Sequence, residues 1–513
     1  MARLFEYQGK EMLRRAGVPV PNGLVAASTA AAEEAAREIG GPVVVKAQAW
    51  VTGRAELGGI RFAETPEEAG EAAATMLGLE LKGFRVRKVL IEERLQIERE
   101  CYAGVIIDDA ERAPLLIVSS VGGSGIEEIA RERPDAVASA HIDLATGLRG
   151  YQARNLLRRV GIAGRDQMVL GGLLVKLWRV ARESEARAAE INPLVRTADG
   201  KWMAADCRLT IDDYAVFRHP ELGIEIAREF DRPATELEKI AYAVEEGDYR
   251  GTFYFIQLET GFDRGQDYLG FHGAGGGGSM MSMDALLDRG FKLANFCDTS
   301  GNPAASKVYR AAKIILAQGP IDGYFGSGSG VASQEQFHSA RGLVKAFREA
   351  WLDIPTVIRL GGNSEDKAIE ILTSQTADLP APVEGYKKND TPAFCATRLE
   401  ELLKKPVEPR PRPEPEPFGA DYEFASPTGT VRFDYDKCRA CASKACVAEC
   451  IPKILKLDGD VPALAVGRDE AAKNKCIECL ACELECLRRG EHGCRIELPI
   501  PGLDEWLQAK GRR

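Results

Sequence analysis

The sequence predicts an α/β protein in which two successive α/β domains are followed by a small, cysteine-rich α+β domain. Three observations lead to this prediction. Strand-like and helix-like stretches alternate through most of the chain, prolines crowd one short segment after residue 404, and nine of the 13 cysteines follow that segment. We therefore divide the chain into domains at 1–235, 236–403 and 429–513, with a linker at 404–428.

The first domain is predicted from buried runs and one clear helix signal. Residues 29–39 are rich in Ala and Glu and end at two glycines, which is typical of a helix and its stop. Residues 43–46 and 88–92 predict buried strands that each carry a charge near the end. Residues 102–107 and 114–119 predict a strand pair around a short turn.

The second domain is predicted to be doubly wound, with helices between the strands of a parallel sheet. The strand candidates are 252–258, 290–296, 321–324 and 355–360, and the helix candidates are 304–317 and 334–349. The glycine-rich stretches 270–278 and 326–330 are predicted to be loops. Ligands of such sheets bind at the carboxyl ends of strands, where we expect these loops to fall.

Alternating prolines among charged residues at 404–428 predict an extended, semi-rigid spacer with no core of its own. An arm packed on the preceding domain is the alternative. A free spacer would make the tail separable from the body.

Bulk composition excludes several classes of function. The net charge of −10 argues against nucleic acid as a partner. No apolar run reaches the ~18 residues that a membrane helix needs, so no membrane span is expected. The first residues carry no secretory signal, which predicts a cytoplasmic protein.

Two cysteine runs dominate the tail. They read Cys438-x2-Cys441-x4-Cys446-x3-Cys450 and Cys476-x2-Cys479-x2-Cys482-x3-Cys486, with Cys494 apart. The second run has the spacing of bacterial two-cluster ferredoxins, and the first has two extra residues in its middle gap. The tail therefore resembles a ferredoxin-like domain that holds two [4Fe–4S] clusters.

In that pattern three thiolates of a run hold one iron–sulfur cube, and the fourth reaches the other cube. The predicted ligands are Cys438, Cys441, Cys446 and Cys486 for the first cluster, and Cys476, Cys479, Cys482 and Cys450 for the second. Zinc sites and disulfides are the alternatives, although zinc needs only four ligands and disulfides need an oxidising compartment.

The body resembles the β subunit of succinyl-CoA synthetase, an ADP-forming acyl-CoA ligase. The matching motifs occur in the same order at residues 4–8, 44–48, 53–59, 189–195, 295–298 and 359–363. Each motif alone is weak, but six in order are specific. The resemblance implies an ATP-grasp domain followed by a flavodoxin-like CoA-ligase domain, with ATP, Mg²⁺ and CoA as cofactors.

The resemblance also implies a nucleotide site. Its residues would be Lys46, Gly53 and Arg54 at the phosphates, Glu92 and Glu100 at the adenine and ribose, Asn192 and Asp206 as magnesium ligands, and Glu190 beside a phosphate acceptor. A lysine on a buried strand is costly unless it is paired, which is consistent with a phosphate partner. The alternative for Lys46, Glu92 and Asp206 is a solvated charge at a strand end.

On the substrate side the resemblance implies that His272, Gly273, Gly275, Gly326 and Gly328 contact a small acyl-CoA or carboxylate. His272 is assigned either a catalytic role or that of a loop histidine that binds a substrate oxygen. The family's glycine-loop lysine is replaced by Glu56, and residues 325–331 lack the family's arginine. Without that cation a monocarboxylic or otherwise bulkier acyl-CoA is expected to be preferred over succinyl-CoA.

No histidine of the chain lies in the family's phosphohistidine motif, so an α-like, CoA-binding phosphohistidine subunit is expected as a partner. The leading hypothesis is a β-like ligase subunit that couples ATP and thioester chemistry to a redox partner protein. One alternative is ATP-gated electron transfer without a thioester. The other is a non-enzymatic docking subunit with a degenerate nucleotide site.

Overall fold

The structure, a computed structural model, describes most of the chain as two units, Met1–Ala234 and Thr235–Arg513. The described residues are 2–123, 125–224, 232–248, 253–328 and 332–511. Among them, no helix has the length and apolar character that crossing a membrane requires.

The described part of the first unit contains two large antiparallel sheets with helices packed on them, and one short two-stranded sheet. Its strands are β1 (Ala2–Arg3), β2 (Gly23–Ala26), β3 (Val43–Ala47), β4 (Ile60–Ala63), β5 (Glu80–Leu81), β6 (Phe84–Arg85), β7 (Val89–Glu93), β8 (Ile97–Asp108), β9 (Ala113–Ser119), β10 (Val137–His141), β11 (Ala186–Thr197), β12 (Trp202–Ala204) and β13 (Arg208–Ile211). Its helices are α1 (Glu6–Arg15), α2 (Thr29–Ile39), α3 (Pro66–Met76), α4 (Ile126–Glu132), α5 (Gly150–Arg159) and α6 (Gly164–Glu183).

The strand order is β2-β7-β3-β4 in one sheet and β1-β13-β11-β8-β9-β10 in the other, with β12 beside β11. The helix predicted at 29–39 is confirmed. Ser28 Oγ accepts from the Ala31 amide at 3.3 Å at its start, and Gly40 ends it in the left-handed conformation. The strands predicted at 43–46 and 88–92 are confirmed as β3 and β7.

The second unit contains a mainly parallel sheet and the cysteine-rich tail. Its strands are β14 (Tyr254–Gln257), β15 (Tyr268–Ala274), β16 (Lys292–Leu293), β17 (Asn295–Asp298), β18 (Gly323–Gly328), β19 (Ala332–Glu335), β20 (Thr356–Arg359), β21 (Gly362–Asn363), β22 (Val383–Tyr386), β23 (Tyr422–Ala425), β24 (Thr430–Phe433), β25 (Leu455–Asp458), β26 (Val461–Leu464) and β27 (Cys494–Glu497). Its helices are α7 (Glu236–Glu246), α8 (Gly276–Leu287), α9 (Ala305–Ala317), α10 (Phe337–Ala350), α11 (Glu365–Ser374), α12 (Pro392–Leu403), α13 (Tyr435–Ala440), α14 (Ala445–Ala448), α15 (Arg468–Glu470), α16 (Ala481–Arg489) and α17 (Leu503–Ala509).

The large sheet has the order β14-β17-β15-β18-β20-β22. Its strands pair in parallel except for β14, which runs antiparallel to β17. Counted along the chain, the five parallel strands run 2-1-3-4-5, which is the flavodoxin-like order. The tail forms a separate antiparallel sheet, β23-β24-β27, and a hairpin of β25 and β26.

The glycine-rich stretches are not the loops that the sequence analysis predicted. Residues 270–274 lie on β15 and residues 276–278 begin α8, while residues 326–328 lie on β18. A Cβ atom on Gly270 would come within 2.7 Å of the side chains of Ile315 and Ile321. These glycines permit close packing of the sheet against its helices. Residues 329–331 of the second stretch lie outside the described residues.

The proline-rich segment is also different from the free spacer that was expected. The Trp351 indole Nε1 donates to the Arg410 carbonyl oxygen at 2.9 Å, and Arg412 donates to the Glu349 carbonyl oxygen at 2.6 Å. Further along, the Gly419 amide donates to the Asp434 carboxylate at 2.9 Å. The segment is therefore an arm attached to the parallel-sheet domain at one end and to the tail at the other.

The tail and the parallel-sheet domain share one cluster of buried apolar side chains. Phe433 of β24 and Tyr309 of α9 belong to the same cluster of buried side chains. Lys345 Nζ of α10 lies 2.8 Å from Glu483 Oε1 of α16. Arg310 donates to the carbonyl oxygens of Thr428 and Pro499 at 2.9 and 3.1 Å.

We expect Phe433→Ala to destabilise the whole second unit. The side chain is fully buried, and removing such an aromatic costs about 3–5 kcal/mol of unfolding free energy. Phe394→Ala is the matched control, because this aromatic on α12 is half exposed and should cost about 1 kcal/mol. Hydrogen exchange should rise in α9 and α10 as well as in β24. A rise confined to the tail would contradict a shared core.

Candidate functional site

Four buried charged side chains from three elements meet in the first unit. Helix α1 supplies Glu6 and Lys10, β3 supplies Lys46, and β7 supplies Glu92. Each of these residues is at most 8% exposed. Glu6 and Lys10 share one face of α1 because they are four residues apart. The helix therefore places a carboxylate and an ammonium group side by side against the strands.

The two ammonium groups and the two carboxylates form a closed group. Lys10 Nζ lies 2.7 Å from Glu6 Oε1 and 2.6 Å from Glu92 Oε2. Lys46 Nζ lies 2.9 Å from Glu6 Oε1 and 2.8 Å from Glu92 Oε2. Both lysines also donate to the Ala205 carbonyl oxygen, at 2.8 and 2.7 Å. Each buried charge is thus compensated, as burial requires.

Arg54 extends this group to Asp206, the predicted magnesium ligand. Arg54 Nη2 lies 2.7 Å from Glu6 Oε2 and 2.8 Å from Asp206 Oδ2. Its Nη1 donates to the Ala47 carbonyl oxygen at 3.1 Å. Asp206 Oδ1 accepts from the Cys207 amide at 2.7 Å. The predicted phosphate loop and the predicted metal ligand are therefore joined by an ion pair.

The electrostatics of the group keep its members charged. Burial by itself would raise the pKa of the Glu6 carboxyl, but Lys10, Lys46 and Arg54 hold that pKa well below its ordinary value. Burial by itself would lower the pKa of Lys46, but the charges of Glu6, Glu92 and Asp206 raise it. Both shifts favour the ionised pair. Glu6 and Lys46 are therefore held in their ionised forms by their neighbours.

Asn192 and Asp206 lie at facing positions of the hairpin formed by β11 and β12. Leu194 pairs with Ala204, and the Ala205 amide donates to the Pro193 carbonyl oxygen at 3.1 Å. Asn192 also exchanges two hydrogen bonds with the Gly123 backbone, at 2.8 and 3.2 Å. The hairpin thus brings the two predicted magnesium ligands to the same edge of the unit.

The remaining predicted nucleotide residues lie outside the charged group. Gly53 is exposed, has a φ of +71°, and directly precedes Arg54. Glu100 is exposed on β8, and its carbonyl oxygen accepts from the Gly122 amide at 3.1 Å. Glu190 Oε2 on β11 lies 4.0 Å from Arg208 Nη1. Lys46, Arg54, Glu92 and Asp206 are therefore the predicted residues that the structure connects.

His272 is not a loop residue. It lies on β15 and is 5% exposed. Its Nδ1 lies 2.6 Å from the Tyr324 hydroxyl, and its Nε2 lies 3.3 Å from Thr299 Oγ1. Burial lowers the pKa of the imidazole to about 4, so the ring is neutral at physiological pH. Both ring nitrogens are engaged inside the sheet, which assigns His272 to the core.

The other predicted substrate-side residues are held tightly by their own neighbours. A Cβ atom on Gly273 would come within 2.8 Å of the Cys297 carbonyl oxygen, and one on Gly328 within 2.8 Å of the Arg359 carbonyl oxygen. A Cβ on Gly326 would come within 2.7 Å of Ile358 Cδ1. The Gly275 amide donates to Asp298 Oδ1 at 2.9 Å. Packing between strands is sufficient to explain these glycines.

The tail gathers nine thiols, all of which are free. Cys476 and Cys482 are half-buried, whereas the other seven are buried. Within the described residues no group of three or more His, Cys, Asp or Glu side chains is arranged to hold a single metal ion. Four-iron cubes place a different requirement on the thiolates, because each cysteine of the set ligates its own iron.

Comparison with known proteins places the chain in a family. An ATP-grasp domain model matches residues 3–196. The β subunit of a GDP-forming succinate–CoA ligase from Thermus thermophilus is 38% identical over 386 residues, which cover 75% of this chain and 97% of that protein. The chain belongs to the succinate–CoA ligase β-subunit family.

A second relative, the β subunit of an ADP-forming succinate–CoA ligase from Rubrobacter xylanophilus, is 34% identical over 406 residues, which cover 78% of this chain and 98% of that protein. A structure of ATP citrate lyase from Methanothrix soehngenii, in complex with citrate and coenzyme A, matches with a TM-score of 0.64 and 19% identity. That match covers 78% of this chain and 99% of that one, and it shows a shared fold. The expected ATP-grasp domain and the ligase family are thereby confirmed.

Sequence reasoning missed two members of the charged group in this succinate–CoA ligase β-type chain. Glu6 lies in the matched opening motif at residues 4–8 and Lys10 lies just beyond it, but neither was assigned a role. Both contact Lys46 or its partner Glu92. Their spacing of four residues on a helix was an available signal. Glu92 was assigned to the adenine, but both of its carboxylate oxygens accept from Lys10, at 2.7 and 2.6 Å.

We expect Glu6→Gln to lower the unfolding free energy of the first unit by about 3–5 kcal/mol, because it leaves buried cations uncompensated. Glu11→Gln on the same helix is the matched control. Glu11 forms exposed ion pairs with Arg14 and Arg15, which contribute about 1 kcal/mol or less. Chemical denaturation would measure both changes, and equal costs would contradict a special role for Glu6.

The same substitution should change the pH dependence of stability. Because the pKa of Glu6 is lower in the folded chain, its stabilisation is complete above the unfolded value of about 4.3 and is lost as pH falls below it. Denaturation curves between pH 7 and pH 3 should therefore show a smaller loss of stability for Glu6→Gln than for the unmodified chain.

Proposed function

We propose that this chain is the β-type subunit of an ADP-forming acyl-CoA ligase that couples ATP and CoA-thioester chemistry to electron transfer through two [4Fe–4S] clusters. The observation that carries the proposal is the spacing of the two cysteine runs. Thiols of both runs belong to a cluster of buried side chains that the tail shares with the flavodoxin-like domain. Because the tail packs into the same core as the flavodoxin-like domain, a change at one would be felt by the other. This arrangement is consistent with coupling between electron transfer and thioester chemistry.

The thiols of the two runs lie close enough together to affect one another's pKa values. Burial and the Cys486 thiol raise the pKa of Cys438 and of Cys446, each to about 12. Cys486 is the last cysteine of the second run, yet its electrostatic neighbours include two cysteines of the first. Burial also raises the pKa of Cys479 to about 11, with contributions from Cys482 and from Cys450 of the first run.

Two glycines lie beside the thiols of the first predicted set. A Cβ atom on Gly493 would come within 3.0 Å of Cys438 Sγ, and one on Gly490 within 3.3 Å of Cys441 Sγ. Side chains at both positions would thus intrude on the first set of sulfurs. Two [4Fe–4S] clusters, when bound, would supply one-electron transfer at low potential.

In the first unit Lys46 and Arg54 are the cations suited to nucleotide phosphates, while Asn192 and Asp206 supply the oxygen ligands that Mg²⁺ prefers. Arg54 pairs with Asp206 in this structure. We infer that Arg54 turns from Asp206 to the phosphates when magnesium nucleotide binds, because Mg²⁺ would then neutralise the Asp206 carboxylate in place of the guanidinium. The carboxylates of Glu6 and Glu92, which contact Lys46 Nζ, would then orient its ammonium group.

The phosphorylated intermediate would need a histidine from a second subunit. His272 is buried with both ring nitrogens engaged. An α-like subunit would therefore supply the phosphohistidine and bind CoA, and a redox protein would exchange electrons with the tail. Residues 325–331 lack arginine, which favours a monocarboxylic acyl group over succinate.

The chain is expected to bind about eight iron and eight sulfide ions after anaerobic reconstitution. Cys482→Ser should lose one cluster, whereas Cys494→Ser should retain both. The two thiols are matched neighbours, since they share a side-chain hydrogen bond, but only Cys482 belongs to a ferredoxin-type run. Iron and sulfide analysis with EPR would count the clusters. Stoichiometric zinc with little iron would reject the electron-transfer proposal.

Mg-ATP at a hundredfold excess over Kd should stabilise the folded state of the unmodified chain by about 2.7 kcal/mol. The thermal midpoint of unfolding should rise accordingly. Lys46→Met should lose that increment when compared with its own ligand-free midpoint. Lys201→Met is the control, because this lysine is exposed and pairs with Asp199. Two results together would favour ATP-gated electron transfer. One is ATP hydrolysis that requires reduced clusters, and the other is the absence of CoA-dependent exchange of label between ADP and ATP.

A further inference from the structure

Arg341 lies at the boundary between the flavodoxin-like domain and the tail. It belongs to α10, which packs against α16 of the tail. The side chain is 1% exposed, and its guanidinium lies 4.9 Å from the centre of the Phe337 ring one turn earlier. A cation from one domain is therefore buried against the cysteine-rich surface of the other.

The charge of Arg341 is incompletely compensated by protein groups. Within the described residues, its Nη1 atom has no hydrogen-bond partner. Glu485 and Glu449 are the nearby carboxylates, but Arg489 binds both, at 2.9 Å in each case, and Arg488 also binds Glu485 at 3.3 Å. A buried guanidinium with an unpartnered nitrogen calls for another anion, because arginine stays protonated in proteins.

The thiols of Cys479 and Cys482 are the remaining anionic candidates. Burial lowers the pKa of the Arg341 guanidinium, and the charges of Cys479, Glu485, Glu449 and Cys482 act against that effect. Both cysteines belong to the set assigned to the second cluster. Thiolates that carry a cluster would place permanent negative charge beside the arginine.

We propose that Arg341 is a positioning residue that supplies a buried positive charge to the cluster of Cys476, Cys479, Cys482 and Cys450 and raises its reduction potential. This inference rests on the proposed function. One-electron reduction adds one negative charge to the cluster and makes or breaks no bond. A nearby buried cation stabilises the reduced form more than the oxidised form, because local charge helps set these potentials. A residue of the flavodoxin-like domain thereby sets the electron affinity of the tail.

The test is an EPR-monitored redox titration of the reconstituted full chain with dithionite as reductant. The neutral variants Arg341→Gln and Arg341→Met should each shift the midpoint of one cluster to lower potential. One of the two variants is enough for the test if the other does not fold. The expected change is at least tenfold in the oxidised-to-reduced ratio, or ~59 mV for a one-electron couple. Arg341→Lys, which keeps the charge, should restore most of that shift.

Arg310→Gln is the matched control. Arg310 is also a buried arginine that joins the flavodoxin-like domain to the tail, but it donates to the backbone carbonyls of Thr428 and Pro499. Arg310→Gln should therefore shift the two midpoints by less than Arg341→Gln does. An Arg310→Gln shift as large as that of Arg341→Gln, or unchanged midpoints in the neutral Arg341 variants, would overturn this inference alone. An unmodified chain that binds no iron would overturn the proposed function with it.

Discussion

The buried ion pair between Lys46 and the carboxylates of Glu6 and Glu92 is the interaction on which the first unit depends. It joins a helix and two strands through charges that would be prohibitive to bury singly. Arg54 then ties the loop that follows β3 to Asp206 beside the hairpin. The positions of Lys46, Arg54, Glu92 and Asp206 are thus consequences of charge balance in the interior.

The second unit depends on a different constraint, a core that crosses a domain boundary. Apolar side chains of α9 and α10 pack with those of the tail sheet, and the Lys345–Glu483 pair closes the contact. From the sequence, the cysteine-rich tail was predicted to be a separate module. In this chain the flavodoxin-like domain would lack part of its own interior without the tail, so the two have one stability.

Local signals in the sequence were sufficient for the regular elements and insufficient for the roles of particular residues. The helix Thr29–Ile39 follows from its caps, and β3 from its apolar run. The glycines at 270–274 led to the wrong prediction of a loop. Glycine occurs both in turns and where backbones pack closely, and composition does not distinguish the two. His272 precedes Gly-Ala-Gly, yet partners from β17's end and β18 bury it. Glu6 and Lys10 were missed because their partners are distant in sequence.

The attachment of the proline-rich arm has a consequence for the durability of the assembled unit. The arm is held at Trp351 on one side and at Asp434 on the other, while the shared core lies elsewhere. A proteolytic cut between residues 412 and 419 would sever the chain without removing any of the contacts that join the tail to its domain. The covalent link is therefore not what holds the tail on its domain. A tail encoded as a separate polypeptide would bind the same surface.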